Sequence, residues 1–141
     1  MSATTFYAPP GYGEEFLASR RYSQAVRVGD RVETSGQGGW DDELNFPESL
    51  EDEIVAAFDN VERVLAAAGA GWHDVIAVYS YHVPDTVDSI EESHNPVMIE
   101  QFRKRMGDRA PIWTQTGVAT LALPQMRIEI RVVAVVDQTG A

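Results

Sequence analysis

Polar and apolar residues alternate over residues 26–28 and again over residues 32–34. A period of two places every second side chain on the same face, which is typical of half-buried β-strands. Gly29 and Asp30 stand between the two segments, and glycine readily adopts the positive φ that a tight hairpin turn requires. The pattern predicts a β-hairpin whose second strand runs into residues 35–39.

Three later segments also have the character of strands. Residues 75–83 are rich in β-branched and aromatic side chains and lie between Gly71 and Pro84, which favours a central strand. Residues 113–119 alternate in the same way, and residues 127–136 place apolar side chains on one face and charged ones on the other. The sequence thus predicts three strands after the hairpin.

Two segments repeat their apolar residues at the three- and four-residue spacing of a helix face. The second is expected from about Ser89 to Met106, and Pro96 favours a start near Asn95 because proline fits the first turn of a helix. The first ends at Gly69, a common helix stop, and its stripe consists of Ile54, Ala57, Phe58, Val61, Val64, Leu65 and Ala68.

Acidic residues crowd the start of the first predicted helix. The helix dipole favours negative charge at this end, so we interpret them as a solvated helix entrance rather than a metal site. They are Glu48, Glu51, Asp52 and Glu53.

The segments are organised as one domain over residues 1–141, with a core over residues 21–136. Residues 1–20 show no period and contain Pro9-Pro10, so we expect an N-terminal arm that is extended or looped. The order hairpin, helix, strand, helix, strand, strand predicts an α+β fold with both helices on one sheet face. The other face mixes apolar and semi-polar residues, which favours contact between subunits.

Charge and composition narrow the function. Of the 141 residues, 22 are acidic and 11 are lysine or arginine, giving a net charge of −11. Binding to nucleic acid or to an anionic membrane needs clustered cations, so we expect neither partner. No apolar run approaches the roughly 20 residues of a membrane span, and the sequence start lacks the pattern of a signal peptide. We expect a cytoplasmic protein.

The sequence offers little for metal or nucleophilic chemistry. It has no cysteine, which excludes disulfides, thiolate catalysis and cysteine–zinc sites. His73, His82 and His94 have no regular ligand spacing, and we interpret His82 as a satisfied core or interface residue. We therefore expect no metal.

Glycines follow the predicted hairpin. Gly36, Gly38 and Gly39 flank Ser35 and Gln37, an arrangement that occurs where main chain approaches a ligand or another chain. The alternative is a structural bulge followed by a turn. The segment is not a phosphate loop, because no Gly-Lys-Ser/Thr follows and no helix is predicted there.

A series of motifs over residues 21–136 resembles the RidA/YjgF family. The motifs are Tyr22-Ser23-Gln24-Ala25, Ser35-Gly36-Gln37, Asn60-Val61, Leu65-Ala66-Ala67-Ala68-Gly69-Ala70, Asp74-Val75-Ile76-Ala77-Val78 and Ile128-Glu129-Ile130. The resemblance implies a chorismate-mutase-like α+β fold with a mixed sheet, assembled as a homotrimer with small-molecule clefts between subunits. It also implies hydrolysis of reactive imines or enamines to ketones and ammonia without a metal or organic cofactor.

One position departs from the family. Trp113 stands where deaminating members carry an arginine that binds the substrate carboxylate, and Gln115 shares its face. A guanidinium binds a carboxylate through two parallel hydrogen bonds, whereas an indole has one donor and an apolar ring. The departure places 2-iminopropanoate hydrolysis in doubt and favours a neutral, larger or aromatic ligand.

The resemblance assigns roles to further residues. Glu129 corresponds to the carboxylate that positions the hydrolytic water, Tyr22 and Ser35 to hydroxyls of the cleft, and Asn95 to its rim. Gly36 and Gln37 are expected to contact substrate, and Trp40 to form an aromatic wall with Trp113, although plain packing of Trp40 is the alternative.

Two arginines flank Glu129 on its strand. Arg127 and Arg131 are expected on the same face as Glu129, where they would bind substrate and favour the ionised carboxylate. The alternative is an Arg–Glu cluster at the surface or between subunits.

The leading functional hypothesis is a cofactor-free hydrolase, deaminase or tailoring enzyme acting on an imine, an enamine or a related metabolite. The missing arginine supports a different class, a module that binds a small ligand or a protein without turnover. A third hypothesis is a structural protein with a vestigial cleft.

Overall fold

A computed structural model describes residues 3–86 and 89–136. Residues 1–2 of the expected arm and residues 137–141 of the expected domain lie outside the described residues. The strands are β1 (Thr4–Tyr7), β2 (Ala25–Val28), β3 (Arg31–Thr34), β4 (Val75–His82), β5 (Ile112–Gly117) and β6 (Ile128–Val135). The α-helices are α1 (Tyr12–Arg20), α2 (Leu50–Ala67) and α3 (Asn95–Met106); a 3₁₀ helix spans Trp72–Asp74, and a π-helix over Ile90–His94 leads directly into α3.

The six strands form one mixed sheet in the order β1-β2-β3-β6-β4-β5. Strands β4 and β5 are parallel, and the other neighbours are antiparallel. Gly29, with φ of 59°, opens the two-residue turn of the β2–β3 hairpin. The hairpin, the three later strands and the α+β class are confirmed.

Helix α2 begins and ends as its sequence indicates. The Ser49 hydroxyl accepts a hydrogen bond from the Asp52 backbone N–H at 3.0 Å, which satisfies a donor that the first turn leaves free. Gly69, with φ of 79°, follows the helix end and allows the chain to reverse. The apolar stripe of α2 packs on the sheet with Met98 and Met106 of α3, so both predicted helices cover one sheet face.

The expectation for residues 1–20 is wrong, because they contain β1 and α1. Strand β1 pairs with β2 at the sheet edge and is largely exposed, so it shows no alternation. Helix α1 buries only Tyr12, Gly13 and Phe16, too few to produce a stripe. Tyr12 and Phe16 pack with Trp40 and Met126 in a second, smaller core.

Neither α2 nor α3 covers the other sheet face. Phe6 of β1 and Ile112 of β5 are 66% and 72% exposed, and Tyr79 and Arg131 lie between them in the sheet, with the guanidinium 4.9 Å from the ring centre. A face of this composition suits contact with another protein surface. Assembly into a homotrimer stays a prediction.

Candidate functional site

A cavity of about 490 Å³ lies beside the end of β3 and the start of β6. We call it the Glu129 cavity. It brings together Tyr22, Ser35, Gly36, Trp40 and Glu129, five residues that the sequence singled out. The remaining wall residues are Phe16, Arg20, Ala122 and Leu123. Its surface is mostly aromatic or aliphatic, with one carboxylate and one guanidinium.

Glu129 is half-buried in the wall of this cavity. Burial raises the pKa of its carboxyl above the ordinary value, because an ionised carboxylate is less stable away from water. No arginine or lysine of residues 3–86 and 89–136 forms an ion pair with it. The shift is in the direction that favours a general base.

Gly36 allows the chain to pass directly over this carboxyl. A Cβ atom at position 36 would lie 2.6 Å from Cδ of Glu129 and 2.9 Å from its Oε2, closer than real Cβ atoms approach other heavy atoms. A larger residue at this position would displace the Glu129 side chain from its observed position. The role of Gly36 matches the close approach that the glycine-rich segment predicted.

The expected support of Glu129 by two flanking arginines is wrong. Nε of Arg127 lies 2.6 Å from Oε1 of Glu53, and NH2 of Arg131 lies 3.1 Å from Oε1 of Glu33. Arg127 precedes β6, so strand alternation does not fix its direction, and it reaches the start of α2 instead. Both cations are committed to other carboxylates.

The same contact corrects the interpretation of one acidic residue at the start of α2. Glu53 is fully buried and accepts hydrogen bonds from the side chain and from the backbone N–H of Arg127. Glu48, Glu51 and Asp52 are exposed, as a solvated helix entrance requires. A single member of the acidic run is therefore structural.

Tyr22 and Ser35 supply the two hydroxyl groups of the cavity. Tyr22 is 36% exposed and stacks on Phe16 with ring centres 5.8 Å apart; burial raises the pKa of its phenol. The Ser35 hydroxyl donates to the Ser23 carbonyl at 2.7 Å. Ser35 consequently offers a ligand its lone pairs rather than its proton.

Gln37 lies behind the cavity surface, and Trp40 lies in the cavity wall with little exposed surface. Gln37 is fully buried; it accepts from the Tyr12 hydroxyl at 2.6 Å and donates to Gln24 at 2.7 Å. Its backbone pairs with Ile130, which fixes the Gly36 segment beside β6. Gln37 is thus a positioning residue in one chain, while Trp40, 5% exposed, combines packing with a place in the wall.

Trp113 and Gln115 lie on the opposite, helix-covered face of the sheet. Trp113 pairs in register with Val78 of the core, whereas Glu129 pairs with Tyr81 on the other face. Within a single chain, Trp113 therefore lies beside neither Glu129 nor Trp40. Asn95 is buried rather than at a rim, and its Oδ1 accepts from Nε2 of Gln115 at 2.6 Å.

These side chains belong to a buried polar network that the sequence did not predict. Nε1 of Trp113 donates to the Ser80 hydroxyl at 2.8 Å, and that hydroxyl lies 2.8 Å from Nε2 of His82. Nδ1 of His82 lies 2.9 Å from Nδ1 of His94. The two histidines are twelve residues apart on different elements, a spacing that no periodic pattern reveals.

The network fixes the charge and tautomer of His82. Burial, followed by the neighbouring His94, lowers the pKa of His82 to about 3, so the ring is neutral at physiological pH. Nε2 of Gln115 can only donate, and it lies 3.1 Å from Nε2 of His82. Nε2 of His82 therefore accepts, and Nδ1 carries the proton towards His94. His82 is a satisfied core residue, as the sequence indicated.

Two further properties concern the chain within its described ranges. No group of three or more histidine, cysteine, aspartate or glutamate side chains there is arranged to hold a metal ion. None of the helices described is long and apolar enough to cross a membrane.

The sequence matches the family described as Endoribonuclease L-PSP over residues 13–136. It is 32% identical over 125 residues to the RutC family protein YjgH of Escherichia coli strain K12, covering 89% of this chain and 90% of that protein. It is 32% identical over 120 residues to a 2-iminobutanoate/2-iminopropanoate deaminase of Dermatophagoides farinae, covering 82% of this chain and 86% of that protein. The fold matches the solved structure of a protein named YjgH with a TM-score of 0.75, at 30% identity over 96% of each chain.

Proposed function

Because this chain belongs to the Endoribonuclease L-PSP family, also called RidA/YjgF, we propose that it hydrolyses an imine or an enamine in the Glu129 cavity. The proposal needs no metal and no organic cofactor, as the resemblance implies. A relative named as a 2-iminobutanoate/2-iminopropanoate deaminase supports the reaction class. The net charge of −11 does not favour an RNA substrate, and we place the reaction in the cytoplasm.

The observation that carries the proposal is the unpaired, half-buried carboxyl of Glu129 in an aromatic cavity. In the proposed reaction, Glu129 accepts a proton from a water molecule as the water oxygen bonds to the C=N carbon. Glu129 passes this proton to the imine nitrogen, which gives a carbinolamine. As the C–N bond then breaks, the hydroxyl proton moves through Glu129 to the departing nitrogen, so that ammonia leaves and a ketone or aldehyde remains. A raised carboxyl pKa makes Glu129 a stronger base than an exposed glutamate.

The walls of the cavity suggest the substrate class. Phe16, Tyr22 and Trp40 provide flat apolar surface, which suits an aromatic or larger imine. The indole N–H of Trp113 already donates a hydrogen bond to Ser80, so this side chain has no free donor with which to bind a substrate carboxylate. We therefore propose that 2-iminopropanoate is not the preferred substrate.

We further propose that the chain forms a homotrimer and that ligand binds between subunits. Trp113, Gln115 and Asn95 lie on the sheet face away from Glu129, so they contribute to the same cleft only if a second copy supplies them. The uncovered sheet face, with Phe6 and Ile112 exposed, provides apolar surface for this assembly.

The proposed function is tested by measuring ammonia release from 2-iminopropanoate and from a series of bulkier and aromatic imines. We expect turnover above background, faster for aromatic imines than for 2-iminopropanoate. Glu129→Gln keeps the shape and removes the base, so the rate should fall by about 10²-fold or more.

Glu43→Gln is the matched control, since Glu43 lies in an exposed loop outside the cavity and its replacement removes the same charge. An unchanged rate in Glu129→Gln, with folding intact, contradicts the proposed role of Glu129. Ligand binding without ammonia release from any imine would support the second candidate, a binding module for a small ligand or a protein, which the tryptophan at position 113 favours.

A further inference from the structure

A second cavity, of about 270 Å³, lies where the end of α3 meets the start of β5. We propose that it binds a small organic acid with a single ring, whose ring lies against Trp113 and Phe102 and whose carboxylate lies between Arg103 and Arg109. We call it the arginine-rimmed cavity. Its walls are Ile99, Phe102, Arg103, Gly107, Arg109, Ala110, Pro111 and Trp113.

The inner wall of this cavity is apolar and shaped by two aromatic rings. Phe102 and Trp113 meet edge to face, with ring centres 5.1 Å apart and planes at 77°. The single N–H of Trp113 is directed to Ser80 at 2.8 Å, so the indole offers the cavity only its ring surface. The volume of 270 Å³ is below the roughly 300 Å³ at which cavities for drug-sized ligands begin, which limits the ligand to about one ring.

Polar recognition comes from the two arginines. Neither Arg103 nor Arg109 forms an ion pair with a carboxylate of the described residues, although acidic residues outnumber basic ones by 22 to 11. Glu100, on the same helix, pairs with Lys104 at 3.2 Å. NH1 of Arg109 donates to the His73 carbonyl at 2.8 Å, which anchors this guanidinium while leaving other N–H donors for an anion.

The combination of these features selects the ligand. A guanidinium binds a carboxylate with charge-assisted hydrogen bonds, and an aromatic wall stabilises a ring by area and edge-to-face contact. A cationic ligand would be repelled by the two arginines. An uncharged ligand would use the apolar wall alone and bind more weakly.

The arginine-rimmed cavity shares no wall residue with the Glu129 cavity. Trp113 and Glu129 also project from opposite faces of the sheet. In the proposed homotrimer, Trp113 would also border the cleft between subunits. The inference still does not rest on imine hydrolysis, because phenylacetate binding is followed at the Trp113 signal and hydrolysis by ammonia release, so each of the two proposals can fail without the other.

The experiment titrates the ¹⁵N-labelled protein with phenylacetate and follows the three tryptophan indole N–H signals by NMR. The signal lost in Trp113→Phe identifies Trp113. We expect phenylacetate to shift the Trp113 signal with a saturable dependence and to leave the Trp72 signal, which belongs to the buried core, in place. Phenylacetamide, which has nearly the same shape without the charge, should bind about tenfold or more weakly, because hydrogen bonds to a charged group are lost.

Three variants locate the anion. Arg103→Gln and Arg109→Gln should each weaken phenylacetate binding several-fold, and the double variant should abolish its preference over phenylacetamide. Lys104→Gln is the matched control, since it removes one positive charge beside Arg103 on α3 without touching the cavity wall.

Three results would overturn the proposal. They are an unmoved Trp113 signal at saturating phenylacetate, equal affinity for phenylacetamide, and an equal loss of affinity in Lys104→Gln. A Trp113 signal that shifts with protein concentration and no longer responds to phenylacetate would instead identify the cavity as a contact between copies of the chain.

Discussion

At the scale of single residues, Gly36 shows how one missing methyl group shapes a site. Gly36→Ala would bring a Cβ atom within 2.6 Å of the Glu129 carboxyl carbon, and the carboxyl would have to move. We expect imine hydrolysis to slow by about 10- to 10²-fold, since small displacements of a catalytic group have effects of this size. Steady-state kinetics measures the loss.

Gly71→Ala is the control for this change. The Cβ atom it adds would approach only the ring of His73, whose side chain is 80% exposed and free to turn away. Full activity in Gly36→Ala would show that the carboxyl is not held in a catalytic position.

Residue types predicted some contacts and missed others for physical reasons. The sequence singled out Gly36 because a run of glycines predicts close approach of the main chain. It singled out Glu129 because this residue corresponds to a carboxylate of the family. The pairing of Arg127 with Glu53 was not predicted, because it joins residues that are 74 positions apart in sequence. Nothing in the spacing along β6 distinguishes a cation that faces Glu129 from one that reaches across to α2.

At the scale of elements, the His82–His94 contact joins β4 to the π-helix that leads into α3 and makes this junction sensitive to pH. The pKa of His82 is lowered from 6.5 to about 3 in the folded chain, so below pH 6.5 the unfolded chain binds more protons than the folded one. The contribution of His82 to stability is complete above pH 6.5 and is lost as the pH falls from there towards 3. The deficit should reach about 2 kcal/mol at pH 5.

Urea unfolding of the wild type and of His82→Gln at pH 7.5 and pH 5 measures this deficit. The variant is expected to be less stable at pH 7.5 and to lose less stability on acidification. His73→Gln, which replaces an exposed histidine, should keep the wild-type pH dependence. Equal pH dependence in all three proteins would contradict the assignment.

Whether a sequence predicts a helix depends on how many of the helix's side chains are buried. The stripe of α2 was predicted because six apolar side chains of this helix are buried and burial imposes a period. Helix α1 was missed because its few buried residues pack on Trp40 and Met126 rather than on the sheet. An element that buries so little leaves almost no pattern, whatever its conformation.

At the scale of the whole molecule, the uncovered sheet face is the feature that leads to a prediction of assembly. Ile112→Glu introduces a charge at a position that is 72% exposed in one chain and buried in the proposed homotrimer. Light scattering should give about three times the 15.6 kDa of one chain for the wild type and a smaller mass for the variant. Leu17→Glu, on the exposed side of α1, is the control.

A wild-type mass of one chain would rule out the trimer and with it any cleft that needs a second copy. The hairpin, the three later strands, α2 and α3 were predictable because each of them packs at least one apolar residue of its own against the core. The sequence did not predict that Trp113 and Glu129 lie on opposite sheet faces, because the direction of each side chain depends on strand pairing across the whole domain.

The position of β6 has a consequence for the nascent chain. This strand, the sixth in sequence order, lies between β3 and β4, and Thr34 contacts Val132 across 98 positions. Until residues 128–135 leave the ribosome, the β2–β3 hairpin and β4 have no partner to join them, and the apolar face of α2 has no complete sheet to cover. Folding that depends on such distant contacts is slow and leaves apolar surface exposed while it waits. The sheet therefore cannot be completed before this central strand has been synthesised.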